Sequence, residues 1–169
     1  MLKQAVACIA ATLAVTALPA TASASEAAPT VICYDSSQVR DWDEALGQNS
    51  WYWSGHGKTV TLGDTRLWPN EGCRPVIRFV PSDSMPDNTV IGPVRPNDRP
   101  ITVRLSRAAL RKGFSAERLV AREYGRIFGL PMNNSGKCDD IMSGVSAGKD
   151  CHNFWWPEAQ VAQMNDNYR

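Results

Sequence analysis

Cys33, Cys73, Cys138 and Cys151 stand downstream of a leader-like N-terminus, and this combination limits the fold more than any other feature. Lys3 supplies a short positive region, Ala5 to Leu18 is an apolar run, and Pro19 breaks it. Ala22-Ser23-Ala24 then offers small residues for cleavage before Ser25, with Ala20-Thr21-Ala22 as a second site. The run is too short and too Ala-rich to span hydrocarbon comfortably, so residues 1–24 read as a secretory signal peptide. Residues 25–169 then form one secreted, extracellular domain. Cleavage removes Cys8 and leaves an even number of cysteines in an oxidising compartment, which implies two disulfides. Of the ways to pair four cysteines, Cys33–Cys73 with Cys138–Cys151 is favoured, because the second pair closes a short Gly- and Ser-containing loop. A Cys/His metal site is disfavoured, since neither C-x-x-C nor H-x₃₋₅-H spacing occurs.

Along the mature chain, Thr30 to Tyr34 reads as a first strand. A helix follows, capped by Ser36 or Ser37 and running through Val39, Trp42, Ala45 and Leu46. Gly47 and Asn49 are expected to loosen it before the aromatic patch Trp51-Tyr52-Trp53. Val76 to Val80 is a second clear strand, halted by Pro81. The proline-rich stretch from Pro81 to Pro100 reads as a long irregular loop. Ile101, Val103 and Leu105 alternate with Thr102, Arg104 and Ser106, the pattern of a half-buried strand. Pro157 to Tyr168 reads as a short C-terminal helix.

The most organised segment begins at Ser115, a good N-cap with Glu117 in the first turn. Leu119, Val120, Tyr124, Ile127 and Phe128 form a helical apolar stripe, and Gly129-Leu130-Pro131 stops it. Arg118, Arg122 and Arg126 follow one another at four-residue spacing, with Glu123 among them. Lys plus Arg total 18 and Asp plus Glu 17, a formal net charge of +1, which argues against a nucleic-acid surface. Histidine occurs twice, at His56 and His152, so no site needing several His ligands can be assembled from this chain.

Arg122-Glu123-Tyr124-Gly125-Arg126-Ile127-Phe128-Gly129-Leu130-Pro131-Met132 has the layout of a zincin helix with its ligands replaced. In H-E-x-x-H, two imidazoles one turn apart face one Zn²⁺, and the Glu between them takes a proton from the metal-bound water. Ser135-Gly136, Cys138, Ile141-Met142-Ser143-Gly144 and Cys151 follow at spacings that resemble the snapalysin family, small secreted neutral metalloproteases of streptomycetes. That family runs H-E-x-G-H-x-x-G-L-P-D-H-Y-S-G-x-C, then L-M-S-G and a second Cys. The resemblance implies a small zincin-like α+β domain: a mixed sheet, an active-site-type helix, a C-terminal helix and two disulfides. It also implies a turn carrying Met142 beneath the metal position and a general base at Glu123.

The departures fall on the zinc ligands. Arg122, Arg126 and Met132 occupy the three ligand positions, and Asn134 replaces the tyrosine that follows. Guanidinium offers only donors and stays charged, and a thioether binds Zn²⁺ poorly. The resemblance therefore implies a silent Glu123, no bound zinc and no proteolysis; about calcium the sequence says nothing. Nothing in the spacing of His56, His152, Asp139 or Asp140 rebuilds a site. An active enzyme with a rebuilt site and a disulfide-braced inhibitor or interaction module are the alternative readings.

Arg122, Glu123 and Arg126 are open to three descriptions: a solvated helix face with weak ion pairs, guanidiniums filling the former metal cavity beside Glu123 and Asp139 or Asp140, or a carboxylate pocket. Met142 reads as core packing more readily than as a functional turn. Trp51, Trp53, Trp155 and Trp156 read as core more readily than as a stacking surface. The expected partner is an extended peptide or protein lying in the former substrate cleft, with no nucleic acid and no membrane.

Overall fold

The computed structural model describes residues 30–54, 60–67, 72–89 and 91–168. The leader and His56 lie outside these residues. β1 (Thr30–Asp35) leads through a 3₁₀ turn at Arg40–Trp42 into α1 (Asp43–Ser54), then β2 (Val60–Asp64) and β3 (Pro75–Ser82). β4 (Ile101–Ser106) runs straight into the short α2 (Arg107–Arg111), followed by α3 (Ala116–Ile127). A 3₁₀ segment at Ile141–Ala147 and α4 (Glu158–Asp166) complete the order.

The sheet order is β2-β1-β3-β4. All three pairings are parallel, with Ile32 opposite Leu62 and Phe79 opposite Val103. Ile32, Cys33 and Tyr34 are buried in succession, as a central parallel strand covered on both faces requires. The expected mixed sheet is thus parallel throughout among the described residues. The reason lies in the 83–100 connection. Its prolines withhold ladder donors, and the carbonyls of Asp87 and Thr89 are taken by α3 side chains, so no antiparallel strand forms beside β4.

α1 extends further than its breakers imply. Ala45, Leu46, Asn49 and Trp53 share its buried side, while Gly47 falls on the exposed side. The Asn49 amide NH₂ is satisfied in place, donating to Ala45 O at 2.9 Å and to Glu117 O of α3 at 3.0 Å. Trp51-Tyr52-Trp53 is therefore the last turn of α1 rather than a patch after it. Trp53 stacks on Phe128 at 4.5 Å and donates from Nε1 to Val60 O at 2.7 Å, linking α1, α3 and β2. α4 falls close to its expected bounds; α2, capped by Ser106 Oγ accepting from Ala109 N, was not anticipated.

Both disulfides join the favoured partners, Cys33 with Cys73 and Cys138 with Cys151, at Cα separations of 5.8 and 5.4 Å. A carboxylate network braces the other end of the sheet. Asp64 accepts from Ser36 Oγ at 2.6 Å and from Arg66, which also bonds Asp43 at 2.7 Å. Burial alone would raise Asp64, but these hydrogen bonds outweigh it and hold the carboxyl below the ordinary aspartate range. Asp140 is lowered likewise: burial opposes, while Asn133, Ser135, Gln160 and the Met142 amide prevail. For a lowered acid, the stability it contributes is present above the unfolded value of about 3.9 and is lost as pH falls through the folded value. Denaturant midpoints should therefore fall steeply below about pH 4 and flatten in Asp64→Asn. An acid limb identical in that variant contradicts the assignment.

Candidate functional site

α3 is placed by its two ends. Ser115 Oγ accepts from Arg118 N at 3.1 Å at the start. At the other end Gly129 takes φ +85°, where a Cβ would meet Pro93 at 2.9 Å, and Leu130 N closes on Gly125 O at 2.8 Å. Gly125 faces the core so closely that a Cβ would lie 2.5 Å from Met142 Sδ and 2.6 Å from Trp156. Met142, fully buried, thus packs flat beneath the middle of the helix.

The arginine side of α3 is not a solvated face. Arg118, Arg122, Glu123 and Arg126 are 4%, 1%, 3% and 5% exposed, so that description is overturned. Glu123 is gripped from two sides: Oε1 accepts from Arg122 Nη1, and Oε2 accepts from Arg126 Nη1 at 2.7 Å. Burial raises the Glu123 carboxyl above the usual glutamate range, with the two guanidiniums pulling the other way. Both arginines continue to the 83–94 connection. Arg122 Nη2 donates to Asp87 O and to Asn88 Oδ1. Arg126 donates from Nε to Thr89 O and from Nη2 to Asp87 Oδ1, each at 2.7 Å.

The counter-charge besides Glu123 is therefore Asp87, not Asp139 or Asp140. Asp139 is exposed, and the Asp140 carboxylate is committed to Asn133, Ser135, Gln160 and the Met142 amide. Asp87, Asn88 and Thr89 were missed because nothing in a proline-rich loop marks carbonyls that a helix 35 residues away will claim. Met132 and Arg122 converge at Gly144, where a Cβ would meet Arg122 Nε at 2.8 Å and Met132 Cε at 3.0 Å. Gly144 holds φ +57°, so both needs select glycine.

Arg118 points away from this cluster. It donates to the carbonyls of Cys138, Asn153 and Asp140 at 2.7, 2.7 and 2.8 Å and to Ser143 Oγ at 3.1 Å. It thereby ties α3 to both sides of the Cys138–Cys151 loop. Trp53 and Trp156 are core, as expected, whereas Trp51 and Trp155 are exposed. These two, with Tyr52 and Phe154, line an apolar groove of about 420 Å³.

Zinc does not fit the three ligand positions. Two present guanidinium donors, the third a thioether, and both oxygens of the neighbouring carboxylate already accept hydrogen bonds. His152 is exposed, and among the described residues no group of three or more His, Cys, Asp or Glu gathers to hold a metal. No described helix is long and apolar enough to cross a membrane.

A parallel sheet over a Gly-terminated helix, with a Met-bearing turn beneath it and a disulfide loop beyond, is a small α/β domain consistent with a zincin-like fold. Residues 107–168 match the Streptomyces extracellular neutral proteinase (M7) family. It is also similar to the extracellular small neutral protease of Streptomyces sp. (strain C5), 35% identical over 52 residues. That alignment covers 31% of this chain and 23% of the relative, so the chain spans about a quarter of the protein it matches.

Proposed function

We propose that this protein is a secreted, catalytically silent member of the snapalysin family that uses the former substrate cleft to hold an extended polypeptide. The observation that carries the first part is the double grip on Glu123. A general base at this position takes its proton from metal-bound water, and here both Glu123 oxygens accept instead from guanidiniums that stand at the ligand positions. Residues 1–24 act as signal peptide and residues 25–169 as the mature domain; the extracellular character of the relative supports export. No cofactor is required.

Binding is supported by the free side of the sheet. β4 pairs with β3, and among the described residues nothing pairs with its other edge. A polar pocket of about 230 Å³ lies where the ends of β3 and β4 meet residues 84–87, lined among others by Ser82, Ser84, Asp87, Arg104 and Ser106. An extended chain laid along the free edge gains ladder hydrogen bonds, with side-chain selection from the pocket.

Incubating mature protein with unfolded casein and zinc, with and without chelator, tests both parts. Intact casein in both samples and a retained complex on gel filtration are expected. Chelator-sensitive cleavage overturns the silent assignment, and casein eluting free of the protein overturns the binding one.

A further inference from the structure

We propose that the cleft is already occupied by the chain's own Asp87–Thr89 segment, and that this internal ligand reveals the external one: an extended peptide bearing an acidic side chain. The proposal rests on the binding function above and names its ligand class.

Carbonyls two residues apart in an extended chain point the same way. The carbonyls of Asp87 and Thr89, two residues apart, each accept from one of two guanidiniums set one helical turn apart on α3. Charge gives the specificity. Arg122 and Arg126 bring two positive charges to the site and Glu123 one negative charge, which leaves one cation for an incoming acid. The Asp87 carboxylate takes that place at 2.7 Å from Arg126 Nη2. It is the surface-side partner, its side chain 54% exposed against 6% for Arg126, so it can leave without opening the core.

The segment is pinned on both flanks and bridges between them. Ser84 O accepts from Ser106 Oγ at 2.6 Å on one side. On the other, Gly92 N and Val94 N donate to Arg126 O and Ile127 O, each at 2.9 Å. Asp87–Thr89 is thus a tethered ligand between fixed ends, beside the polar pocket at the ends of β3 and β4. A tether of this kind supplies its ligand at about millimolar effective concentration. A free peptide of equal intrinsic affinity therefore competes poorly until the tethered carboxylate is removed.

The test uses a fluorescent pentapeptide Met-Pro-Asp-Asn-Thr, the sequence of residues 85–89, and its Asp-to-Asn counterpart, read by anisotropy. Asp87→Ala protein should bind the acidic peptide at least about tenfold more tightly than wild type, and the Asn peptide should lose the gain. Equal binding to both proteins, equal binding of both peptides, or no binding to a folded Asp87→Ala protein overturns the proposal. If Asp87→Ala does not fold, amide hydrogen exchange on wild type decides. Excess acidic peptide should deprotect 87–89 while 92–94 stays protected, and unchanged exchange overturns it. Casein bound equally well by wild type and Asp87→Ala would sink this inference and leave the function standing; casein bound by neither sinks both.

Discussion

Glu123→Ala is expected to lower stability by about 3–5 kcal/mol, because it strips the shared counter-ion from two guanidiniums that are almost wholly buried. In a domain of this size that corresponds to roughly 10–20 °C in Tm. The direction is diagnostic. A carboxylate retained for proton transfer sits in an environment that strains it, and its removal commonly leaves stability unchanged or improved. A structural carboxylate behaves oppositely. Glu123→Gln should fall between the two, since the amide oxygen still accepts one of the two guanidinium bonds while its NH₂ faces the other. Replacing the cluster together, Arg122→Met with Glu123→Leu and Arg126→Met, should cost far less than Glu123→Ala alone, because no buried charge is left behind and the remaining Asp87 carboxylate is half-exposed to water. A Glu123→Ala protein as stable as wild type in a denaturant titration would show that the pairing does not hold this site.

Arg118→Met is the second large effect, expected at about 3 kcal/mol or more. The guanidinium is the donor for four backbone carbonyls, those of Lys137, Cys138, Asp140 and Asn153, and for Ser143 Oγ. Methionine fills the volume but leaves those acceptors short of partners, at about 1–3 kcal/mol for each one that stays buried. Lysine keeps the charge yet cannot fork to carbonyls on two segments, so Arg118→Lys should recover only part of the loss. The fork also shields the loop. Proteolytic nicking within 137–153 should rise in Arg118→Met, whereas a stability loss with unchanged nicking would place its role elsewhere.

Arg118 also marks where sequence reasoning stops. The stripe Leu119, Val120, Tyr124, Ile127 and Phe128 exposes α3 in the sequence, and the alternation at 101–106 exposes β4, because both signals are local periodicities. The disulfide partners were legible from spacing. The arginines were not, since their burial depends on what covers them: carbonyls of residues 87 and 89 for one pair, and of 138, 140 and 153 for Arg118. A carbonyl has no residue identity, so a buried Arg held by main chain looks in sequence like an exposed one. The extent of α1 was hidden for a related reason. Asn49 breaks an isolated helix, but here its Nδ2 donates to Glu117 O, a contact 68 residues away.

The same logic explains the sheet. A chain whose 83–94 connection gives its carbonyls to α3 cannot also run them as an antiparallel strand beside β4. Side-chain forks from Arg122 and Arg126 instead tie α3 to that connection at Asp87 and Thr89.

On the proposed function, Arg122, Glu123 and Arg126, with Asp87 at the surface side, form a buried ionic cluster that takes up no metal. Native mass spectrometry of the mature protein, after equilibration with excess zinc and removal of unbound ion, reads this most directly. The expected spectrum shows the bare disulfide-bonded chain, with a zinc adduct emerging only when Arg122→His, Arg126→His and Met132→Asp are introduced together. One tightly held zinc per wild-type chain would contradict the account.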